Sequence, residues 1–399
     1  MYTFEDQIEF AYPPRLMFRA EAPFLIGREP TLRRMPDGTL ISFLYGRGPG
    51  EPHPDNVAAM IRSEDDGESW SKPEIVFEHP VRQTWGTEIF TETERPFAVF
   101  HTYNYSNVFC ELRCFVSHTP DSGRTWSEPV SFPGVPPNFS CRQGRVLSDG
   151  SWLFPIYWVE QRGGWDSYGY CVRHRSGDDR YTPPEDAFKV HRYRRKGADI
   201  QEWELRSRPD GFAAWRYVSG VVRSTDGGRS YTLHGCISPS AGYHAWEPDV
   251  IELEPGHLKM YIRCESPEAV LYESDSFDYG RTWTPPAATD IPNPGTKFTL
   301  FKIRGRVVLV NNVCTPEHRL RDRLELWVSD DGCRSWARRI PLASKLVHNP
   351  AYLKNVTYPH GFADEKSGQL YLSIDSGQAF FLLKIPFDQF LTPAKEHSR

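Results

Sequence analysis

Residues 276–283 have the sequence Ser-Phe-Asp-Tyr-Gly-Arg-Thr-Trp, and similar motifs recur along the chain. The other copies are SEDDGESW at 63–70, SHTPDSGRTW at 117–126, STDGGRSY at 224–231 and SDDGCRSW at 329–336. We call all five motifs the Asp-box turns. Their aspartates are 56, 105, 52 and 53 residues apart. The interval of 105 residues equals two ordinary ones, which predicts a degenerate copy of the motif near residues 176–178. Repeats of about 50 residues built from short strands are typical of β-propellers. Six units would use nearly the whole chain, which predicts an all-β, six-bladed β-propeller.

The residue types of an Asp-box turn suit a tight corner between two strands. Glycine adopts the positive φ that such a corner requires. Aspartate and serine or threonine side chains bind backbone N–H groups that the turn leaves unpaired. The tryptophan is expected to fill the gap between neighbouring sheets. We therefore interpret the repeated aspartates as structural residues rather than as catalytic groups or Ca²⁺ ligands.

Composition argues against several classes of function. The chain has 399 residues and a net charge of −5, with acidic and basic residues interspersed, which disfavours a nucleic-acid partner. Its eight cysteines form no C-x-x-C pair and no metal-binding spacing, so we expect no metal, no organic cofactor and buried free thiols. No run of 18 apolar residues and no signal-peptide pattern is present. We expect a cytoplasmic protein with no membrane partner.

Strand-like segments recur between the Asp-box turns, whereas helical periodicity is almost absent. Examples are GTLISFLYG at 38–46, HLKMYIRC at 257–264 and QLYLSID at 369–375. Residues 178–204 are rich in charged residues, and we interpret them as a loop insertion in the third blade. No low-complexity linker divides the chain, so we predict a single domain over residues 1–399.

Between the Asp-box turns, the order of arginines and acids resembles that of the sialidase (exo-α-neuraminidase) family, over nearly the whole chain. Arg28-Glu29-Pro30 is similar to the Arg-Ile-Pro with which the family opens. A strand, Arg47 and the loop residue Asp55 then precede the first Asp-box turn, as the second arginine and the loop aspartate do in the family.

Motifs in the middle and at the end of the chain also resemble those of the sialidase family. Glu247-Pro248, a strand, a glycine turn and Arg263 keep the register of the family's middle motif. Arg321, which stands before the last Asp-box turn, resembles the family's third arginine. Tyr358, followed by a glycine turn and a strand that ends at Asp375, resembles the family's nucleophile motif.

The resemblance implies a retaining exo-glycosidase that hydrolyses a terminal 2-keto acid sugar of the sialic acid type. It implies that Tyr358 is the nucleophile, that Glu247 is its base and that Asp55 is the general acid; sialidases are known to use a tyrosine in this way. Converging guanidinium groups suit a fixed carboxylate, and nearby acids are needed to balance them. The residues expected to contact the anionic glycan are Arg28, Arg47, Arg263, Arg321, Glu88, Arg142, His53, His360 and Asp375.

Departures from the family pattern leave two other functions open. Glu29 replaces an isoleucine, and Pro359-His360 follows the tyrosine where the family has serine. Because His53 and His360 suit acid–base chemistry near neutral pH, one alternative is a propeller hydrolase or lyase acting on uronic-acid glycans. The other is a non-catalytic carbohydrate-binding propeller, since a fold does not by itself imply an activity.

Overall fold

The computed structural model describes residues 1–5, 7–51, 53, 55–79, 82–103, 112–135, 139–161, 171–174, 189–194, 202–207, 215–239, 243–346 and 355–391. Regular structure in these residues is almost entirely β-strand, which confirms the prediction of an all-β protein. The first strands are β1 (Tyr2–Phe4), β2 (Ile8–Phe10) and β3 (Arg15–Arg19). No helix in the described ranges is long and apolar enough to cross a membrane.

Six antiparallel sheets follow one another along the chain and form the predicted six blades. Blade 1 consists of β4 (Gly27–Arg34), β5 (Leu40–Gly46), β6 (Val57–Ser63) and β7 (Glu74–Phe77). Blade 2 consists of β8 (Gln83–Phe90), β9 (Phe97–Tyr103), β10 (Arg113–His118) and β11 (Val130–Ser131). Blade 3 begins with β12 (Ser140–Cys141), β13 (Arg145–Val146) and β14 (Trp152–Gln161). After β15 (Cys171–His174), β16 (Lys189–Arg194) and β17 (Glu202–Ser207), it is completed by β18 (Trp215–Ser224) and β19 (Thr232–Ile237).

The second half of the chain continues in the same way. Blade 4 consists of β20 (Ala245–Glu254), β21 (His257–Cys264), β22 (Val270–Ser276) and β23 (Ala287–Pro292). Blade 5 consists of β24 (Thr299–Ile303), β25 (Arg306–Asn312), β26 (Arg323–Ser329) and β27 (Arg338–Lys345), with β2 and β1 added at its outer edge. Blade 6 consists of β28 (Thr357–Asp364), β29 (Gln369–Asp375), β30 (Ala379–Pro386) and β3, and the short helix α1 (Asp388–Leu391) follows it.

Blade 6 is closed by β3, which comes from the other end of the chain. β3 pairs with β30, so that Arg15 lies opposite Leu382, and the start and the end of the chain share one sheet. The Asp-box turns connect two consecutive strands in each of blades 1 to 5, namely β6–β7, β10–β11, β18–β19, β22–β23 and β26–β27. Because no chain connection of this kind exists between β30 and β3, five Asp-box turns are compatible with six blades.

The wide interval between Asp121 and Asp226 contains no additional blade. β14 and β18 pair along their whole lengths, so residues 162–214 are inserted between two adjacent strands of blade 3. Part of this insertion forms a separate three-stranded sheet of β15, β17 and β16. The interpretation of the interval as two repeats is therefore wrong. The expected degenerate copy at 176–178 and most of residues 178–204 lie outside the described residues.

The Asp-box turns have the local structure expected of corners. Asp278 accepts hydrogen bonds from the backbone N–H and the hydroxyl of Thr282, at 2.8 and 2.6 Å. The Ser276 hydroxyl donates to Asp278 at 2.9 Å and accepts from the Gly280 N–H at 2.8 Å. Trp283 packs into an apolar cluster that contains residues of blades 3 and 4. These residues hold the turn and the blade interface together.

Candidate active site

The innermost strands of blades 1, 4 and 6 are each interrupted by a register shift at a polar residue. β4, β20 and β28 contain register shifts, and within them Glu29, Glu247 and Tyr358 have φ of 53°, 48° and 51°. A non-glycine residue held at such a φ costs roughly 1–3 kcal/mol, and strained residues of this kind cluster at functional sites. Each of the three is buried and is followed by proline. The bulges therefore place three polar side chains where the inner strands meet.

A continuous series of ion pairs connects blades 1, 3 and 4. Arg142 donates to Glu29 at 3.1 Å and to Glu247 at 2.5 Å. Arg263 donates to the other oxygen of Glu247 at 2.5 Å and to Glu265 at 2.9 Å. Although burial alone would raise the pKa of Glu247, Arg263 and Arg142 lower it to about 2. Glu247 is therefore an ionised carboxylate held by two arginines.

Arg28 lies between two carboxylates on its own side of the site. Its Nε is 3.4 Å from Glu51 and 3.5 Å from Asp375, and Asp375 also accepts the Glu29 N–H at 3.2 Å. Burial works against the charged form of Arg28, but Asp375 and Glu51 raise its pKa above the ordinary value. Asp375 and Glu51 are therefore the counter-charges of Arg28.

Glu51 is more exposed than Glu29, Glu247 and Asp375, because 28% of its side chain remains in contact with solvent, against 9%, 5% and 0% for these three. Its carboxyl nevertheless lies deep enough for burial to raise its pKa to about 7. Arg28 opposes this shift, whereas Glu29 and Asp375 add to it. Glu51 is therefore an accessible carboxyl group that can hold or release a proton near neutral pH.

Tyr358 lies among three of the predicted arginines. Its hydroxyl is 3.5 Å from Nη1 of Arg263, and the guanidinium carbons of Arg28 and Arg321 are 5.4 and 5.9 Å from its ring centre. Burial raises the pKa of Tyr358, and Glu247 adds to this effect. Arg263 contacts both Glu247 and the tyrosine hydroxyl, so the proposed base and nucleophile share one guanidinium group.

Glu88 and His360 form a buried layer beside this group. Glu88 accepts hydrogen bonds from Arg33 at 2.9 Å and from the Gly144 N–H at 3.0 Å. The His360 Nδ1 accepts from the Leu32 N–H at 3.1 Å and lies 3.2 Å from Arg33. Burial, with Arg33 adding to it, holds the pKa of His360 well below its ordinary value, so the ring is neutral with its proton on Nε2. His360 and Glu88 thus support the inner strands.

Arg47, Asp55 and His53 are not brought into contact with the central ion pairs. Arg47 donates to Glu78 at 2.6 Å and to the Asp55 carbonyl at 2.9 Å. The Asp55 side chain is 66% exposed, and its carboxylate lies 3.6 Å from His53 Nδ1. The loop therefore directs these three side chains toward its own neighbours, and it places Glu51, four residues earlier, beside Arg28.

Glu51 and Lys297 are among the residues of the site that the sequence analysis missed. Glu51 lies in the same loop as Asp55, and the sequence alone does not show which acid turns inward. Lys297 is buried and precedes the innermost strand of blade 5; a lysine at the start of an apolar strand was an available signal. No group of three or more histidine, cysteine or acidic side chains in the described ranges is placed to hold a metal ion.

Comparison with known proteins adds to this description. Residues 38–372 match the family described as BNR repeat-like domain. A Hadza microbial sialidase has a TM-score of 0.63 and 16% identity, over 92% of this chain and 67% of its own. A protein of unknown function from Dyadobacter fermentans has a TM-score of 0.65 and 12% identity, over 95% and 99% of the two chains.

A third similar structure is a Trypanosoma rangeli sialidase in complex with the inhibitor DANA. It has a TM-score of 0.58 and 17% identity, over 92% of this chain and 56% of its own. No curated protein matches the sequence significantly. At such low identities these likenesses show the fold alone.

Proposed function

The chain belongs to the BNR repeat-like domain family, and on that premise we propose that it is a sialidase-like exo-glycosidase acting on a terminal 2-keto acid sugar. The observation that carries this proposal is the convergence of Arg28, Arg263 and Arg321 on the buried Tyr358. Guanidinium groups bind carboxylates through paired hydrogen bonds. Three of them around one tyrosine suit a sugar whose reacting carbon carries a carboxylate.

Tyr358 is the proposed nucleophile, and Glu247 is the proposed acceptor of its proton. In the free protein Glu247 is a weak base, because Arg263 and Arg142 lower its pKa to about 2. A substrate carboxylate that binds Arg263 competes with Glu247 for the same guanidinium group. Substrate binding would thereby raise the basicity of Glu247 at the moment when the tyrosine must lose its proton.

We assign the general acid to Glu51 in place of Asp55. A general acid is most effective when its pKa lies near the working pH, and the pKa of Glu51 is raised to about 7. Glu51 would give its proton to the leaving oxygen as the Tyr358 oxygen bonds to the anomeric carbon. It would then take a proton from the water that hydrolyses this bond, which gives net retention.

Release of 4-methylumbelliferone tests the proposal directly. The panel consists of α-glycosides of N-acetylneuraminic acid, its deaminated analogue and the eight-carbon keto acid, with glucuronide and iduronide beside them. We expect turnover of a keto acid glycoside, and its loss in Tyr358→Phe. The matched control is Tyr371→Phe, because the Tyr371 hydroxyl contacts Asp66, outside the ion pairs of the site. An active Tyr358→Phe protein would refute the proposed nucleophile.

The two alternatives give different results on the same panel. The uronic-acid hydrolase or lyase was suggested by His53 and His360, and the neutral, hydrogen-bonded ring of His360 offers it little support. Turnover of a uronide, or ultraviolet absorbance from an unsaturated product, would nevertheless favour it. Tight binding of a keto acid sugar without turnover would favour a carbohydrate-binding propeller.

A further inference from the structure

Glu265 reaches a buried arginine of the site from the solvent side. Its Oε1 accepts a hydrogen bond from Nη2 of Arg263 at 2.9 Å, and the Glu265 and Arg263 side chains are 42% and 6% exposed. The Glu265 backbone directly follows β21, and its N–H donates to the His244 carbonyl at 3.2 Å. The carboxylate of Glu265 can therefore move toward water while its backbone stays in place.

The Glu265 carboxylate also lies next to the loop that binds a second arginine. A Cβ atom added to Gly295 would be 3.0 Å from Oε2 of Glu265, so the carboxylate rests against this glycine. The Gly295 carbonyl accepts a hydrogen bond from Nη2 of Arg321 at 2.6 Å. Arg263 and Arg321 are two of the three arginines that surround Tyr358. Glu265 therefore places a carboxylate beside the region in which the proposed substrate carboxylate would bind.

The other contacts of Arg263 are harder to break than its contact with Glu265. Nη1 donates to Glu247, whose side chain is only 5% exposed and also binds Arg142. The guanidinium carbon of Arg263 lies 4.1 Å from the centre of the Trp246 ring, so that ring supports the group from one face. Removing a buried carboxylate would leave charges without partners, whereas an exposed carboxylate returns to water at little cost. A ligand that binds Arg263 would therefore displace Glu265 rather than Glu247.

We propose that Glu265 is an internal competitor of the substrate carboxylate. In the free protein it occupies Nη2 of Arg263, and it turns toward solvent when a carboxylate ligand binds this guanidinium group. Because one carboxylate replaces another, Arg263 keeps a counter-charge in both states. This role rests on the proposed function, which supplies the carboxylate ligand. Glu265 then weakens the binding of the substrate and of the released sugar acid by the same factor, and it sets affinity rather than the rate of the chemical step.

Glu265→Gln tests this role, because it keeps the size of the side chain and removes its charge. On a glycoside that is turned over, KM and the inhibition constant of the free sugar acid should both fall by roughly 2–5-fold, with kcat unchanged. The matched control is Glu365→Gln, which should change neither constant, since Glu365 is 57% exposed and pairs with Arg304 at 3.4 Å. If Glu265 instead oriented Arg263 for catalysis, Glu265→Gln would raise KM or lower kcat, and that result would overturn the proposal.

Formate, the smallest carboxylate, tests the displacement without any sugar. Crystals of the wild-type chain soaked in sodium formate are expected to show formate on Nη2 of Arg263 and the Glu265 carboxylate turned toward solvent. In solution, the dissociation constant of formate is obtained from the rise in melting temperature with formate concentration, against chloride at the same ionic strength. This constant should be roughly 2–5-fold lower for Glu265→Gln than for the wild type.

The formate result separates the role of Glu265 from the glycosidase activity. Formate on Arg263 beside an unmoved Glu265, or formate missing from Arg263 in crystals of both proteins, would overturn the proposal whether or not any sugar is turned over. If no glycoside of the panel is hydrolysed, the proposed activity fails, while displacement of Glu265 by formate would still support its role as a competitor.

Discussion

Arg142→Met should destabilise the protein more than the loss of any exposed arginine. Arg142 binds Glu29 at 3.1 Å and Glu247 at 2.5 Å, and all three side chains are less than 10% exposed. Within the described ranges, the Glu29 carboxylate has no other hydrogen-bond donor, so the substitution leaves a buried charge without a partner. Breaking a buried pair in this way costs about 3–5 kcal/mol. Because Glu247 keeps Arg263, we expect about 3 kcal/mol, or a fall of about 4 °C in melting temperature for 399 residues.

A double-mutant cycle tests the reasoning. Glu29→Gln removes the charge that Arg142→Met leaves unpaired, so the double variant should be more stable than Arg142→Met alone, with a coupling of about 1–3 kcal/mol. Urea denaturation followed by circular dichroism measures the four free energies of unfolding. Arg306→Met is the control, since its pair with Asp330 is exposed and is expected to contribute no more than about 1 kcal/mol. The argument would be refuted if the two substitutions changed the free energy of unfolding additively. It would also be refuted if Arg142→Met lowered that free energy no more than Arg306→Met does.

Three further predictions concern the site and the turns. Glu247→Gln should be less stable than the wild type at neutral pH, because the folded-state pKa of Glu247 is lowered to about 2. Urea denaturation should show the difference in free energy of unfolding between the two proteins becoming smaller as the pH falls from about 4.5 toward 2. Glu51→Gln should lower kcat/KM by roughly 10²–10⁴ on a substrate with a poor leaving group and by less on the 4-methylumbelliferyl glycoside, whereas Asp55→Asn should change neither value. Asp278→Ala should lower the melting temperature, measured by calorimetry, without changing kcat at a temperature where the variant is folded, since the hydrogen bonds of the Asp278 carboxylate to described residues stay within its own turn.

The sequence predicted the architecture because the Asp-box turns are local. Each turn is fixed by hydrogen bonds within a few residues, as between Asp278 and Thr282. The motif can therefore be recognised in the sequence without knowledge of the residues that pack around it. The wide interval was misread because spacing alone does not distinguish an additional repeat from an insertion. The pairing of β14 with β18 resolves this, and it joins residues that are far apart in the chain.

The candidate site was predictable where a side chain is fixed by an inner strand. Arg28, Glu247, Arg263 and Tyr358 lie on such strands or beside them, and the order of blades brings them together. Asp55 lies in a loop, where the backbone path decides which side chain turns inward, and here that residue is Glu51. Such a choice depends on φ and ψ values that residue types alone do not determine.

The pairing of β3 with β30 has a consequence for synthesis. Arg15 leaves the ribosome before its partner Leu382, which is 367 residues further along the chain. At about 5–20 residues per second, the edge of β3 waits tens of seconds or more for the strand that covers it. Unpaired strand edges are prone to intermolecular pairing, so translation speed and crowding on polysomes should influence the yield of native protein. Blade 6, which carries Tyr358, is then the last to form, and a chain released before residue 382 would lack a completed site.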